Sequence, residues 1–228
     1  MDATGTGAPA PGVLFDVDGT LVDSNYLQVA AWLRAVQSVG LDAPAWRLHR
    51  ALGRTGHELV KDVLGEAGIA RFDEISAVHA DEVDATADRL RRTRGAAELV
   101  RAVAARGART VLATSASPDS LEALRRVLEL DDVLAAVTSA DDVERSKPHP
   151  EPVRTALEAG GVDPERAVFV GDSVWDVHAA ARAGLPCVAL RCGGVGEADL
   201  REAGAVEVYD DPADLLDHLE DSALRRAL

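Results

Sequence analysis

A chain of 228 residues, 47% of them apolar, can bury a sizeable core, either as one large domain or as a core carrying an insertion. Its 39 acidic residues against 24 basic ones leave a net charge of -15. That balance argues against nucleic acid as a partner, because sequence-independent affinity for it comes from Lys and Arg neutralising phosphates. No stretch approaches the roughly 18 uninterrupted apolar residues of a membrane span, and the first twelve residues lack a basic n-region. A cytoplasmic protein with a loose tail over residues 1–12 is the expectation.

The first strand is predicted over the apolar run Val13 to Phe15, and Asp16-Val17-Asp18-Gly19-Thr20 comes directly after it. Two carboxylates and a turn glycine are thereby presented where a strand ends, which is where open α/β sheets hold their ligands. The plain alternative is a turn or a helix cap, since Asp serves both. An EF-hand loop is excluded, because Thr20 and Leu21 stand where that pattern needs an oxygen ligand and then Gly.

Residues 24–92 offer only helical patterns, over 25–39, 45–52, 57–67 and 72–92, with no strand candidate. They read as an all-helical insertion, entered near residues 22–24 and left near 93–95. From residue 96 onward helices (96–105, 120–130, 151–160, 174–183) alternate with strands (110–113, 133–137, 167–170, 186–190, 206–209). That rhythm predicts a parallel sheet wound on both faces, a Rossmann-like α/β core with right-handed crossovers. The predicted organisation is a core of residues 13–22 and 94–228 with a helical cap of residues 23–93.

Polar residues punctuate the strand ends and helix starts of this core: Asp16 with Asp18, then Ser115, then Lys147, then Asp172 with Asp176. Taken singly, Ser115 and Asp172 read equally well as helix caps and Lys147 as a solvated loop cation. Lysine is scarce, only Lys61 and Lys147 among the basic residues, and a compact flexible point charge is what lysine supplies and arginine does not. Cys187 and Cys192 match neither a zinc knuckle nor a redox pair and read as buried thiols in a reducing compartment. Trp32 and Trp46 are assigned to the helical unit's interior and Trp175 to packing. His49, His79 and His218 are assigned to solvated helices, and the Gly193-Gly194-Val195-Gly196 loop lacks the last glycine of a dinucleotide fingerprint.

Taken together, Asp16-x-Asp18-Gly19-Thr20, Ser115, Lys147-Pro148 and Gly171-Asp172-Ser173 with Asp176 appear in the order found in the haloacid dehalogenase superfamily of phosphohydrolases. The chain resembles that family from Val13 to about Tyr209. The resemblance implies that Asp16 is the nucleophile, forming an aspartyl phosphate, and that Asp18 is the general acid and then base, its pKa raised by nearby anions. It implies Ser115 and Lys147 as phosphate ligands, and Mg²⁺ held by Asp16, Asp172 and the Asp18 carbonyl, with Asp176 acting through water. Charge supports a metal: Asp16, Asp172 and a phosphate dianion sum to about -4, and two like charges ~4 Å apart repel by about 4 kcal/mol at an effective dielectric near 20. Lys147 alone leaves that sum far from neutral, and a divalent ion with oxygen ligands suits it.

The helical insertion resembles the family's α-helical cap, and Gln28, Arg54, Thr55 and His57 are its candidate specificity residues. The implied partner is a small phosphorylated metabolite, and no stripe of residues sets an oligomeric state. A sugar-phosphate mutase of the β-phosphoglucomutase kind is the nearest alternative, disfavoured because Gln28 stands where mutases carry a cap histidine. Phosphonate cleavage would need Lys61 as a Schiff-base lysine. A non-catalytic binding module would keep the fold without turnover.

Overall fold

The computed structural model describes residues 8–228, so residues 1–7 of the expected tail lie outside the described residues. Residues 10–12 of that tail belong instead to the first strand, β1, Ala10–Phe15. Among the described residues, β1, β2 (Arg109–Ala113), β3 (Leu134–Thr138), β4 (Val162–Gly171), β5 (Cys187–Leu190) and β6 (Glu207–Tyr209) form one sheet. The order is β3-β2-β1-β4-β5-β6 and every pairing is parallel.

Strand residues alternate between two buried clusters because side chains along a strand point to opposite faces. Val13 and Phe15 of β1, Leu112 of β2, and Val168 and Val170 of β4 enter one cluster. Leu14, Val111, Ala113, Ala167 and Phe169 enter the other. Burial on both faces is why these strands read as unbroken apolar runs rather than alternating ones. Helices α5 (Ala96–Ala105) and α10 (Pro212–Asp217) contribute to the first cluster. Helices α7 (Glu151–Gly160), α8 (Val174–Ala183) and α9 (Glu197–Ala203) contribute to the second, and α6 (Pro118–Leu128) comes after β2.

The chain leaves β1 in one direction, to β2 and β3, and returns on its other side to β4. This reversal opens a crevice beyond the strand ends between β1 and β4, where Asp16 N–H donates to Val170 O at 2.9 Å.

Helices α1 (Asn25–Ser38), α2 (Ala45–Ala51), α3 (Gly56–Ile69) and α4 (Phe72–Ala85) form a separate unit with its own buried cluster around Trp32, Leu48, Leu59 and Ile75. The two chain crossings run side by side: Asp23 N–H donates to Arg91 O at 2.9 Å and Thr93 N–H to Leu21 O at 3.0 Å. Helix α4 stops at Ala85, short of the predicted residue 92. The Thr86 hydroxyl donates to the carbonyls of Glu82 and Val83, satisfying the last turn, and residues 90–92 must run extended to reach the core.

Three other expectations are corrected. Helices α9 and α10 stand where the sequence pattern predicts no helix; both are short, and α9 buries only Leu200, too little for a periodic signal. Trp46 is 64% exposed, because α2 turns Leu48 and Ala51 inward and Trp46 lies off that face. His49 and His79 are half-buried rather than solvated, His49 drawn in by the Gly193 carbonyl and His79 by Trp32 and Gln28.

Candidate active site

Four charged side chains from three strand ends converge in the crevice. Lys147, fully buried, places Nζ 2.7 Å from Asp16 Oδ1, 2.8 Å from Asp176 Oδ1 and 3.0 Å from Ala113 O. Carboxylate oxygens of Asp16, Asp172 and Asp176 lie within 4.8 Å of one another. Asp176 is held by a capping box at the start of α8: its Oδ2 accepts from Ser173 N–H at 3.0 Å, and Ser173 Oγ accepts from Asp176 N–H at 3.2 Å. That box explains the sequence Gly171-Asp172-Ser173 with Asp176 three residues on. It also sets Asp176 beside Asp16 and Asp172 in the carboxylate cluster.

Asp172 is fixed by two residues that sequence reasoning did not assign to the site. Thr20 Oγ1 donates to its Oδ1 at 2.9 Å, and Asn25 Nδ2 donates to its Oδ2 at 2.9 Å and to Gly193 O at 2.9 Å. Asn25 opens α1, so the helical unit begins with a direct hold on the core carboxylate. Gly19 has φ 76°, and a Cβ there or at Gly193 would collide with this Asn25–Asp172 arrangement. Gly193 thus serves a close backbone approach to Asp172.

Asp18 points away from the cluster, accepting from Ser24 Oγ at 2.6 Å and facing Thr114 Oγ1 at 3.5 Å. Its pKa is raised, and the cause is burial, opposed by Ser24, Lys147 and Thr114, rather than the nearby anions expected from the family resemblance. Asp16 is pushed up to about 7, first by burial, against the pull of Lys147 and with the help of Asp176. Asp172 is raised well above the carboxylate range by burial and by the charges of Asp176 and Asp16. Lys147 is raised despite burial, because Asp16 and Asp176 face it. One cation therefore serves three carboxylates. The Asp176 Oδ1 atom has no aligned hydrogen bond even beside Lys147, and the all-oxygen donor set fits a hard divalent cation.

Above the crevice sits a cavity of about 250 Å³ between the strand ends and the helical unit. Gln28, Arg54 and Thr55 line it together with Asp16, Asp18 and Ser115. His57 is not among its lining residues and packs edge-on against Phe72. Ser115 Oγ donates to Gly53 O at 3.1 Å, tying a core strand end to the loop between α2 and α3. Arg54 stacks 4.3 Å over the Trp175 ring and reaches Asp62 at 3.0 Å. His49 Nε2 donates to Gly193 O at 2.9 Å, and Ser146 Oγ bonds Glu58. Both free cysteines lie in the core, Cys187 buried and Cys192 half-buried.

His79 is the cavity residue that sequence reasoning missed most clearly. It lies one turn beyond Ile75 on α4, on the face turned to α1, stacks on Trp32 with centroids 3.8 Å apart, and bonds Gln28 Oε1 at 2.9 Å. Burial pushes it down to about 4. The unfolded chain therefore takes up a proton near pH 6.5 that the folded chain refuses until about pH 4. Stability present above pH 6.5 is lost on acidification through this window, by up to about 1.4 kcal/mol per pH unit. Denaturant unfolding at pH 7 and pH 5 should show a smaller loss in His79→Phe than in the parent chain.

A family model, the haloacid dehalogenase-like hydrolase, matches residues 11–184. The chain is 33% identical to a phosphoglycolate phosphatase of Rhodospirillum rubrum, over 91% of this chain and 90% of that one. It is 27% identical to the pyrophosphatase PpaX of Bacillus cereus, over 92% and 96%. A hydrolase crystal structure from Pseudomonas syringae superposes with a TM-score of 0.88 at 32% identity, covering 93% of this chain and 99% of that one. No helix among the described residues is long and apolar enough to cross a membrane. With the motif residues gathered at one mouth of a parallel sheet and the family model spanning most of its length, this chain belongs to the haloacid dehalogenase-like hydrolases.

Proposed function

We propose that this hydrolase is a Mg²⁺-dependent phosphatase that cleaves a small-molecule phosphomonoester through an aspartyl phosphate on Asp16. The observation that carries this reading is the convergence of Asp16, Lys147, Asp172 and Asp176 around one point, with Asp18 turned into the adjoining cavity. A cytoplasmic setting fits its two free thiols.

Asp16 attacks phosphorus, so a carboxylate–phosphorus bond forms as the ester P–O bond breaks, dividing one displacement into two. Asp18, whose pKa burial raises, gives its proton to the departing alkoxide. It then accepts a proton from the water that attacks the aspartyl phosphate and frees inorganic phosphate. Lys147 holds Asp16 aligned and offsets charge on the transferred group. Ser115 can exchange the Gly53 carbonyl for a phosphate oxygen, which couples phosphate binding to the loop above it. Asp16, Asp172, the Asp18 carbonyl and Asp176 are the oxygen donors for Mg²⁺, which when bound neutralises the facing anions of carboxylate and phosphate. Residues 23–93 act as a cap that excludes water over a core of residues 13–22 and 94–228.

Phosphate release from p-nitrophenyl phosphate tests this directly. EDTA is expected to take turnover to background and added Mg²⁺ to restore it. Turnover indifferent to EDTA would remove the metal from the scheme, and absence of hydrolysis at any Mg²⁺ concentration would remove the phosphatase. Because Asp16 in the metal-free protein holds its proton up to about pH 7, apparent Mg²⁺ affinity should weaken as pH falls through 7, by up to about tenfold per unit.

A further inference from the structure

The cavity roof has a chemistry that neither named relative's substrate matches. Its walls are Trp32, Leu59 and Phe72, with Gln28, Ser76 and His79 as polar members. His79 Nε2 donates to Gln28 Oε1, which leaves the Gln28 amide N–H₂ as a free donor beside the aromatic surfaces. Arg54 is the single cation among the lining residues. Its side chain is 12% exposed, it pairs with Asp62, and its plane rests on Trp175, so protein groups already engage the guanidinium.

Below, Lys147 is engaged by Asp16 and Asp176, so it is committed to the transferred phosphoryl group. A carboxylate or a second phosphate on the leaving group would thus find no unmatched cation in the roof, and it would sit above Asp16 and Asp172. A hydroxyl-bearing leaving group finds the Gln28 amide, two hydroxyls from Thr55 and Ser76, and aromatic faces for its C–H surface.

Building on the phosphatase reading, we propose that the leaving group is a small uncharged polyol or sugar, recognised by Gln28, as positioned by His79, and by the hydroxyls of Thr55 and Ser76. Neutral donors reward a hydroxyl and are left unpaired by an analogue lacking it, the arrangement that gives the largest discrimination.

The test compares kcat/KM with Mg²⁺ for glycerol 3-phosphate and sorbitol 6-phosphate against 2-phosphoglycolate and pyrophosphate, with p-nitrophenyl phosphate as a generic ester. The neutral leaving groups are expected to lead by at least about tenfold. In Gln28→Lys, which sets a cation in the roof, the ratio of 2-phosphoglycolate to sorbitol 6-phosphate should rise by at least about tenfold. His79→Phe should raise KM for sorbitol 6-phosphate more than it lowers kcat, because it frees the Gln28 carbonyl to turn. Hydrolysis led by 2-phosphoglycolate or pyrophosphate, or a ratio unmoved by Gln28→Lys, overturns the inference and leaves the phosphatase standing. Failure to hydrolyse even p-nitrophenyl phosphate overturns both.

Discussion

Asp16→Asn is expected to lower turnover by on the order of 10⁴-fold or more, the scale on which a lost nucleophile is felt, while the protein stays folded. Asn keeps an oxygen for Lys147 Nζ, and Lys147 retains Asp176 at 2.8 Å and Ala113 O at 3.0 Å. Stability should hold or rise in the metal-free protein. Burial and Asp176 raise Asp16 to about 7, above its unfolded value of 3.8, so the unfolded chain gives up a proton that the folded chain keeps, and the fold weakens progressively as pH rises from the lower value through the upper one. The neutral amide removes that effect, and the gain should be full at pH 8 and clearly smaller at pH 5. Phosphate release and thermal melts at both pH values read the two halves separately. Turnover within tenfold of the parent chain would take the nucleophile's role from Asp16.

Much of this site was legible because its residues sit where local rules put them. Apolar runs such as Val13 to Phe15 mark buried parallel strands, and the residues just past a parallel strand's carboxyl end face the crevice. The capping box of Ser173 and Asp176 is likewise local, three residues apart. The parallel, doubly wound sheet followed from the alternation of strands and helices. The illegible part was decided by contacts between distant segments. Asn25 reaches Asp172 across 147 residues and His79 reaches Gln28 across 51. A polar residue on an amphipathic helix reads as solvated until the neighbouring helix is known. Trp46 failed in the opposite direction, since a seven-residue helix has too few apolar positions to define its inner face. Gly193 stood in a run that lacks the last glycine of a nucleotide fingerprint, with no role assigned to it. Only Asp172 packed against its backbone gives that glycine a reason.

Lys147→Met should be the most damaging single change to the fold as well as to turnover. The side chain is fully buried and fits Met in length, so packing alone changes little, and the effect is electrostatic. Removing the cation leaves Asp16, Asp172 and Asp176 facing one another within 4.8 Å, and breaking a buried pair by deleting one partner costs about 3 to 5 kcal/mol. Lys147 lowers the pKa of Asp16, so its loss raises that value further above the unfolded one. A carboxylate raised in the folded state destabilises progressively between its unfolded and folded pKa and fully above the latter, and the loss is undone as pH falls through the same window. The deficit of Lys147→Met should therefore be largest near pH 8 and shrink towards pH 5, and Mg²⁺ should narrow it at pH 8 by replacing the missing charge. Turnover should stay low even with Mg²⁺, because only the long 3.5 Å contact from Thr20 Oγ1 then bonds the Asp16 side chain. A deficit that is independent of both pH and Mg²⁺ would mean that Lys147 acts through packing, and the cation at the centre of this site would lose its role.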